Sequence, residues 1–364
     1  MNVTTPTKPA IAPPPVGSHR DPTKPQTILS VGPAPFRITP IASSHKYLKM
    51  VVYGPFGVGK TSLVASAVDV DGMGDVIMVN AEAGTMSIDH AEHIVNRNFI
   101  DQVRCQDFKT VALVQEFLKN HCIARDNRDI QALKVLQFRT FGHPMDVIDP
   151  DYDDLDVWEP IATSDIKEGD FTSTDEDGNL VKLTKSRLRR FRTALVDSLT
   201  EIDTFSMYQL LGIKTDMKLD EDMDVAEWAE FRKNNQLMQL LVRAYRDLPM
   251  NVLLVLGNQY TQDELKRFHW SPTITGKLST QVQGFVDLVG VLQNGKPEKE
   301  GGPIPRKLWI QPVGQFDAKS RIASFKDAAI MNPTMNKIMK IFKGQTKTLK
   351  ASENGTPAKK QQAG

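Results

Sequence analysis

Lys60 and Thr61 close the stretch Gly54-Pro55-Phe56-Gly57-Val58-Gly59-Lys60-Thr61, with Ser62 directly behind it. The spacing is G-x-x-x-x-G-K-[ST], a pattern suited to wrapping a triphosphate. Its glycines let successive backbone N–H groups turn inward and form an anion cradle. Lys60 can reach the β- and γ-phosphates, and the Thr61 hydroxyl can ligate Mg²⁺. A second acid is then needed to fix the metal. Asp197 closes the apolar run Thr193 to Asp197 (TALVD), where a carboxylate on a rigid strand end, expected beside the strand that feeds the loop, can hold Mg²⁺ through a water. Many buried strands also end in an acid, so this pattern alone leaves a structural role open for Asp197. Glu82 follows the apolar run Asp75 to Asn80 near Gly84, at a strand end of the kind where open α/β sheets place their ligands.

Three further groups carry chemistry. Gly257, Asn258 and Gln259 follow the run Asn251 to Leu256. The Gln259 amide can sense a γ-phosphate or simply close a turn. Between Thr261 and Gln283, apolar residues are few, and Lys266, Arg267, Phe268, Trp270 and Lys277 stand among them. Cations for phosphates and rings for bases are what single-stranded nucleic acid requires; aromatic side chains packed on the core are the alternative. Lys319 and Arg321, in Ala-Lys-Ser-Arg, can reach a neighbouring subunit's phosphates as an arginine finger or form a surface ion-pair cluster.

The elements that must position these groups follow from apolar patterning. Strands are expected at Tyr47 to Tyr53, Asp75 to Asn80, Gln102 to Arg104, Thr193 to Asp197, Asn251 to Leu256, Gly284 to Leu292 and Lys307 to Gln311. Helices are expected at Ser62 to Val68, about Ser87 to Arg97, Lys109 to Ala124 and Met223 to Arg246. In the last of these, Trp228, Phe231, Leu237, Leu241 and Tyr245 recur at near-helical spacing, most of them as core residues. Strand, glycine loop and helix in that order aim the positive end of the helix dipole at the phosphate.

Bulk composition narrows the function classes. With 364 residues and a net charge of +1, the chain is no histone-like binder, although charge is segregated along it. Residues 1–43 are rich in Pro, Thr, Ser and Ala and are expected to be a disordered arm. Residues 44–342 then form the core and 343–364 a disordered Lys-rich tail. Within the core, 146–180 is an acidic insertion with Lys167 among its carboxylates, read as a solvated loop or as an element competing with nucleic acid for a basic groove. Cys105 and Cys122 are far apart and follow no metal-ligand spacing; no disulfide framework is expected, which fits a reducing cytoplasm. No apolar run approaches the roughly 20 residues of a membrane span, and no signal peptide is expected.

Taken in order, the GPFGVGKT loop, the glutamate of NAEAGT, the TALVDSLTE strand, the long helix, the NVLLVLGNQ strand, GFVDLVGVL and AKSR resemble the phage RecA-like P-loop nucleotide-binding ATPases, a family related to phage single-strand annealing recombinases with a RecA core. The resemblance covers about His45 to Ala329. It implies an α/β fold with a mostly parallel central sheet flanked by helices, ATP and Mg²⁺ as ligands, and DNA-stimulated hydrolysis in phage recombination, repair or replication. It also implies Glu82 as the base that activates water. Asp197 is followed by Ser198 rather than a second acid, so the base must come from elsewhere. Gln259 would link the γ-phosphate to a DNA-binding loop, and Lys319 and Arg321 would act in trans in a ring or filament, with a single-strand-binding or replication protein as a further partner. A DNA-independent ATP switch that gates assembly or loading of a protein partner is the other reading.

Overall fold

A computed structural model of the protein describes residues 46–344 except 83, 143–144, 147–157, 161–171, 175–179, 184–185, 214–216, 218–224, 263–265, 267, 298 and 300–301. The expected arm, most of the acidic insertion, all but the first residues of the tail, and Arg267 lie outside the described residues.

The first half of the chain gives β1 (Lys49–Tyr53), α1 (Lys60–Ala65), β2 (Val76–Asn80), α2 (Met86–Asp89), β3 (Ile100–Arg104), α3 (Phe108–Asp126) and α4 (Ile130–Phe141). Short strands follow: β4 (Met145–Asp146), β5 (Trp158–Pro160), β6 (Thr172–Thr174), β7 (Leu180–Leu183) and β8 (Ser186–Arg187). The centre supplies β9 (Thr193–Asp197), α5 (Leu199–Leu210), α6 (Trp228–Arg246) and β10 (Asn251–Leu256). The remainder is β11 (Asn258–Gln262), β12 (Phe268–Pro272), α7 (Leu278–Phe285), β13 (Leu288–Asn294), β14 (Arg306–Trp309), β15 (Lys319–Ser320), β16 (Ala329–Met331) and α8 (Met335–Phe342).

The main sheet runs in the order β16-β14-β13-β1-β10-β9-β2-β3, with β15 paired to β13. From β13 to β3 every pairing is parallel; β14, β15 and β16 are antiparallel additions at one edge. Parallel strands are covered on both faces, so they read as unbroken apolar runs, and β1, β9 and β10 are almost wholly buried. Alternation assigns their side chains to two cores. Val51, Tyr53, Val252 and Leu254 pack with Phe108, Val111 and Leu118 of α3, Ile202 of α5 and Leu241 and Tyr245 of α6. Met50, Val52, Leu253 and Val255 pack on the other face with Leu63 and Val64 of α1 and Ile338 of α8.

This is the expected α/β class, with corrections in detail. The strand carrying Asp197 is not beside the loop strand: β10 lies between β1 and β9. The helix expected at Ser87 to Arg97 shrinks to α2, and the chain beyond it is turns. The segment Thr261 to Gln283 is no open loop but an antiparallel hairpin, β11 with β12, followed by most of α7. Gly284 and Phe285, expected in a strand, end α7 instead. In α6, Leu241 and Tyr245 are buried as expected, whereas Trp228 is 88% and Phe231 45% exposed. The helical period identifies α6, but among the described residues its first turn is uncovered and its buried positions begin at Asn234.

Candidate nucleotide site

The loop leaves the carboxyl end of β1 and returns into α1. Its shape depends on glycine at two points. A Cβ on Gly54 would lie 2.3 Å from the carbonyl oxygen of Leu292 in β13, so only glycine lets the loop start against that strand. Gly59, the residue that enters α1, has φ 91°, a left-handed conformation that costs an L side chain but not glycine. Val58 anchors the loop in the core, while Phe56 projects outward at 86% exposure. Lys60 is buried, and its ammonium donates to the carbonyls of Gly54 and Pro55 at 2.9 Å each. Burial lowers its pKa, against the opposing fields of Glu82 and Asp197.

Strands in a sheet lie about 4.8 Å apart, so two spacings separate the ends of β1 and β9 by roughly 10 Å. The loop and the start of α1 span that gap. The Thr61 hydroxyl donates to Asp197 Oδ2 at 2.6 Å. Asp197 is 1% exposed, and burial is the main reason its carboxyl is pushed up to about 6, with Glu82 adding to the rise and Thr61 and Lys60 opposing it. Its other oxygen, Oδ1, is buried without a hydrogen-bond partner among the described residues. An orphaned carboxylate oxygen beside a threonine hydroxyl and a glycine-lined anion cradle fits a hydrated Mg²⁺ held together with a polyphosphate.

Glu82 stands at the end of β2, the neighbour of β9. The backbone N–H of Ala81 donates to Asp197 O at 2.7 Å, and the Ser198 hydroxyl donates to Glu82 Oε1. The same hydroxyl accepts from the Glu201 N–H at 3.3 Å and so caps α5. Glu82 itself is exposed, facing the side of the sheet where the loop lies. Sequence reasoning missed two residues here. Ser198 is legible in hindsight as an N-cap directly after the strand-end acid. Asn80, opposite Asp197 in the β2–β9 register, is buried with an unpartnered side-chain oxygen among the described residues, and its amide donates to Gln102 at 2.9 Å. Nothing in the local pattern marks it.

Gln259 enters the β11–β12 hairpin, which springs from the carboxyl end of β10, the strand beside β1. Thr200 in the first turn of α5 ties down both ends of that hairpin: its hydroxyl accepts from Gly257 N–H at 3.0 Å and donates to Thr273 O at 2.9 Å. Asp203, one turn on, accepts from the Thr275 N–H and hydroxyl and from Asn234. At the tip, Lys266 is exposed and Phe268 is 60% exposed, with Tyr260 beside them at 62%. Trp270 is different. Its ring packs edge-on against Tyr260 and Phe316, and Phe316 stacks on Trp309, while the Tyr53 hydroxyl lies 2.7 Å from its carbonyl. Of the two roles open to Trp270, packing is the one seen. Lys277 is exposed at the start of α7, away from the tip and next to the hairpin's base.

Lys319 and Arg321 lie back along the sheet from the loop. Lys319 pairs with Val289, level with Val51, and Arg321 N–H donates to Asp287 O, level with Lys49. At about 3.3 Å per residue they sit roughly 10 and 16 Å short of the loop along the strand direction, so they do not join their own chain's site. Their side chains donate to the carbonyls of Gln283 and Gly284 at 2.6 and 2.5 Å, not to an acidic cluster. Of the basic residues that precede Asp197, Arg187 forks onto Asp75 and Arg189 onto Asp101, both pairs mostly buried, whereas Arg190 and Arg192 are exposed.

Over residues 46–322 the sequence matches a family model described as an AAA domain. Among solved structures, the RadB recombinase aligns over 78% of this chain and 84% of its own, at 14% identity and a TM-score of 0.32. The flagellar accessory protein FlaH from Methanocaldococcus jannaschii aligns over the same shares, at 8% identity and a TM-score of 0.30. A search among curated proteins gives no match. Among the described residues, no helix is long and apolar enough to cross a membrane.

Proposed function

The chain belongs to the AAA domain family, and from that premise we propose that it binds and hydrolyses ATP in response to single-stranded DNA. Its architecture is that of a RecA-like P-loop ATPase. The observation that carries the hydrolytic reading is the convergence of Thr61, Asp197 and Glu82, brought together from three elements at the carboxyl ends of β1, β9 and β2.

In this reading the loop N–H groups and Lys60 bind the phosphates. Lys60 exchanges its two carbonyl acceptors for phosphate oxygens, a stronger, charge-assisted bond. Thr61 and Asp197 would hold Mg²⁺, which neutralises charge developing on the terminal phosphate when bound. Glu82, oriented by Ser198, takes the proton of the attacking water. Gln259 stands where occupancy of the phosphate site can be passed to the hairpin.

The DNA reading is supported by the hairpin tip. Lys266, Phe268 and Tyr260 present a cation and two rings on an element rooted beside the loop strand, and stacking of bases on such rings tolerates any sequence. Oligomerisation as a ring or filament is the reading in which Lys319 and Arg321, remote from their own loop, act on a neighbour's phosphates. A setting in phage recombination, repair or replication rests on the motif order alone.

Steady-state ATP hydrolysis with and without single-stranded oligonucleotides tests the proposal. Turnover should rise severalfold with DNA and lose that stimulation as salt is raised. Lys60→Ala should abolish it. Hydrolysis indifferent to any DNA would sink the DNA reading and favour a switch that gates a protein partner.

A further inference from the structure

We propose that Arg306 is a phosphate-binding residue of this nucleotide site, acting within its own chain; the inference rests on the triphosphate reading of the loop. Arg306 opens β14 opposite Asn294 at the carboxyl end of β13, the end of the sheet where the loop lies. Its backbone is clamped on both sides by Asn332: Arg306 N–H donates to Asn332 Oδ1 at 2.9 Å, and Asn332 N–H to Arg306 O at 2.7 Å. From that fixed base the side chain reaches over the loop. A Cβ built on Gly59 would lie 2.6 Å from the guanidinium carbon and Nη1 and 2.9 Å from Nη2. The glycine that enters α1 therefore also makes room for the arginine.

Among the described residues the guanidinium has neither an acidic partner nor a hydrogen-bond acceptor. It stands over the glycine loop, whose inward-turned backbone N–H groups are themselves anion-binding. Lys60, the next residue, adds a third positive group. Lys60 has the fields of Glu82 and Asp197 beside it, but among the described residues neither acid pairs with the guanidinium, so an anion of several charges is what the arginine lacks. The forked donors of a guanidinium match phosphate oxygens two at a time. A polyphosphate tail lying in the loop meets that requirement, with Lys60 and the N–H groups on one side and Arg306 on the other.

The test is equilibrium binding of fluorescent ATP and ADP to the full chain and to Arg306→Gln, Arg306→Met and Arg306→Lys, with the melting temperature of each nucleotide-free protein. Loss of a charged hydrogen-bonding group should weaken both nucleotides by about ten- to a hundredfold in the Gln and Met variants. The Lys variant should recover part of that loss, and all four proteins should melt alike. Affinity within about twofold of wild type for Arg306→Gln overturns the proposal, as does equal behaviour of the Met and Lys variants, which would mean the stem packs and the charge is idle. A drop in melting temperature that parallels the loss of binding overturns it in the same way. Wild-type protein that binds no ATP sinks the triphosphate site itself, whereas normal wild-type binding with an unaffected Arg306→Gln sinks only the role of the arginine.

Discussion

Ser198, the residue directly after Asp197, donates its hydroxyl to the carboxylate of Glu82. One hydroxyl thus joins the end of β9 to the acid that follows the neighbouring β2, while also capping the helix that follows. The acid is exposed to the loop side but is not free to wander, as a base aimed at one water requires.

Glu82→Gln should keep ATP affinity within a factor of about two and lower turnover by at least about a hundredfold, the lower bound for losing a general base. Ser198→Ala should lower turnover by roughly tenfold through loss of a charge-assisted bond, and stability by about 1 kcal/mol through loss of the cap. Single-turnover hydrolysis beside equilibrium binding checks both. Wild-type turnover in Glu82→Gln would remove the acid from the mechanism.

Asp197 makes the nucleotide-free protein pH-sensitive. Its folded pKa, about 6, lies above the ordinary 3.8, so the folded state holds the proton more tightly than the unfolded chain. The associated stability is fully present below about pH 4 and is lost as pH rises through 6; a shift of this size is worth on the order of 3 kcal/mol. Asp197→Asn should therefore raise the melting temperature at pH 7.5 by several degrees, flatten its dependence between pH 4 and 6, and abolish hydrolysis. In the wild type, kcat/KM should fall with one proton as pH drops below about 6. Thermal scans across that window decide it: a variant that melts lower than wild type at pH 7.5 contradicts the assignment.

Trp270 and Phe268, both on the hairpin, should separate in mutagenesis. Trp270→Ala removes a ring packed on Tyr260 and Phe316 and should cost about 3 kcal/mol of stability. Phe268→Ala should leave the melting temperature unchanged and weaken single-strand binding by about five- to a hundredfold, the worth of one stacked base. Lys266→Ala should reduce the slope of log K against log salt by about 0.7. Fluorescence anisotropy on a labelled oligonucleotide at several salt concentrations reads both; unchanged binding in Phe268→Ala and Lys266→Ala would move the DNA contact off the hairpin.

Lys319 and Arg321, remote from their own loop, predict complementation. Lys60→Ala and Arg321→Ala should each be inactive alone. Mixed in equal amounts, about a quarter of head-to-tail interfaces join an intact loop to an intact finger, and activity should return to about that fraction of wild type. A mixture no more active than its components would rule out a finger in trans.

The sequence by itself determined the parts whose physics is local. GPFGVGKT is legible because a phosphate cradle dictates backbone conformation residue by residue, and the left-handed φ of Gly59 is part of that demand. The buried strands β1, β9 and β10 are legible because a strand covered on both faces must be apolar throughout. The tertiary structure alone decided what depends on residues far apart in the chain. It put β10 between the loop strand and Asp197, turned a polar stretch into the β11–β12 hairpin, and packed Trp270 against Phe316 while leaving Trp228 exposed. Neither periodicity nor composition reports which surface another element will cover. It also set Arg306 over Gly59 across some 250 residues, Ser198 on Glu82, and Lys319 and Arg321 back along the sheet from the loop. Each placement follows from strand order and register, and these are fixed by the packing of the whole chain rather than by any one segment.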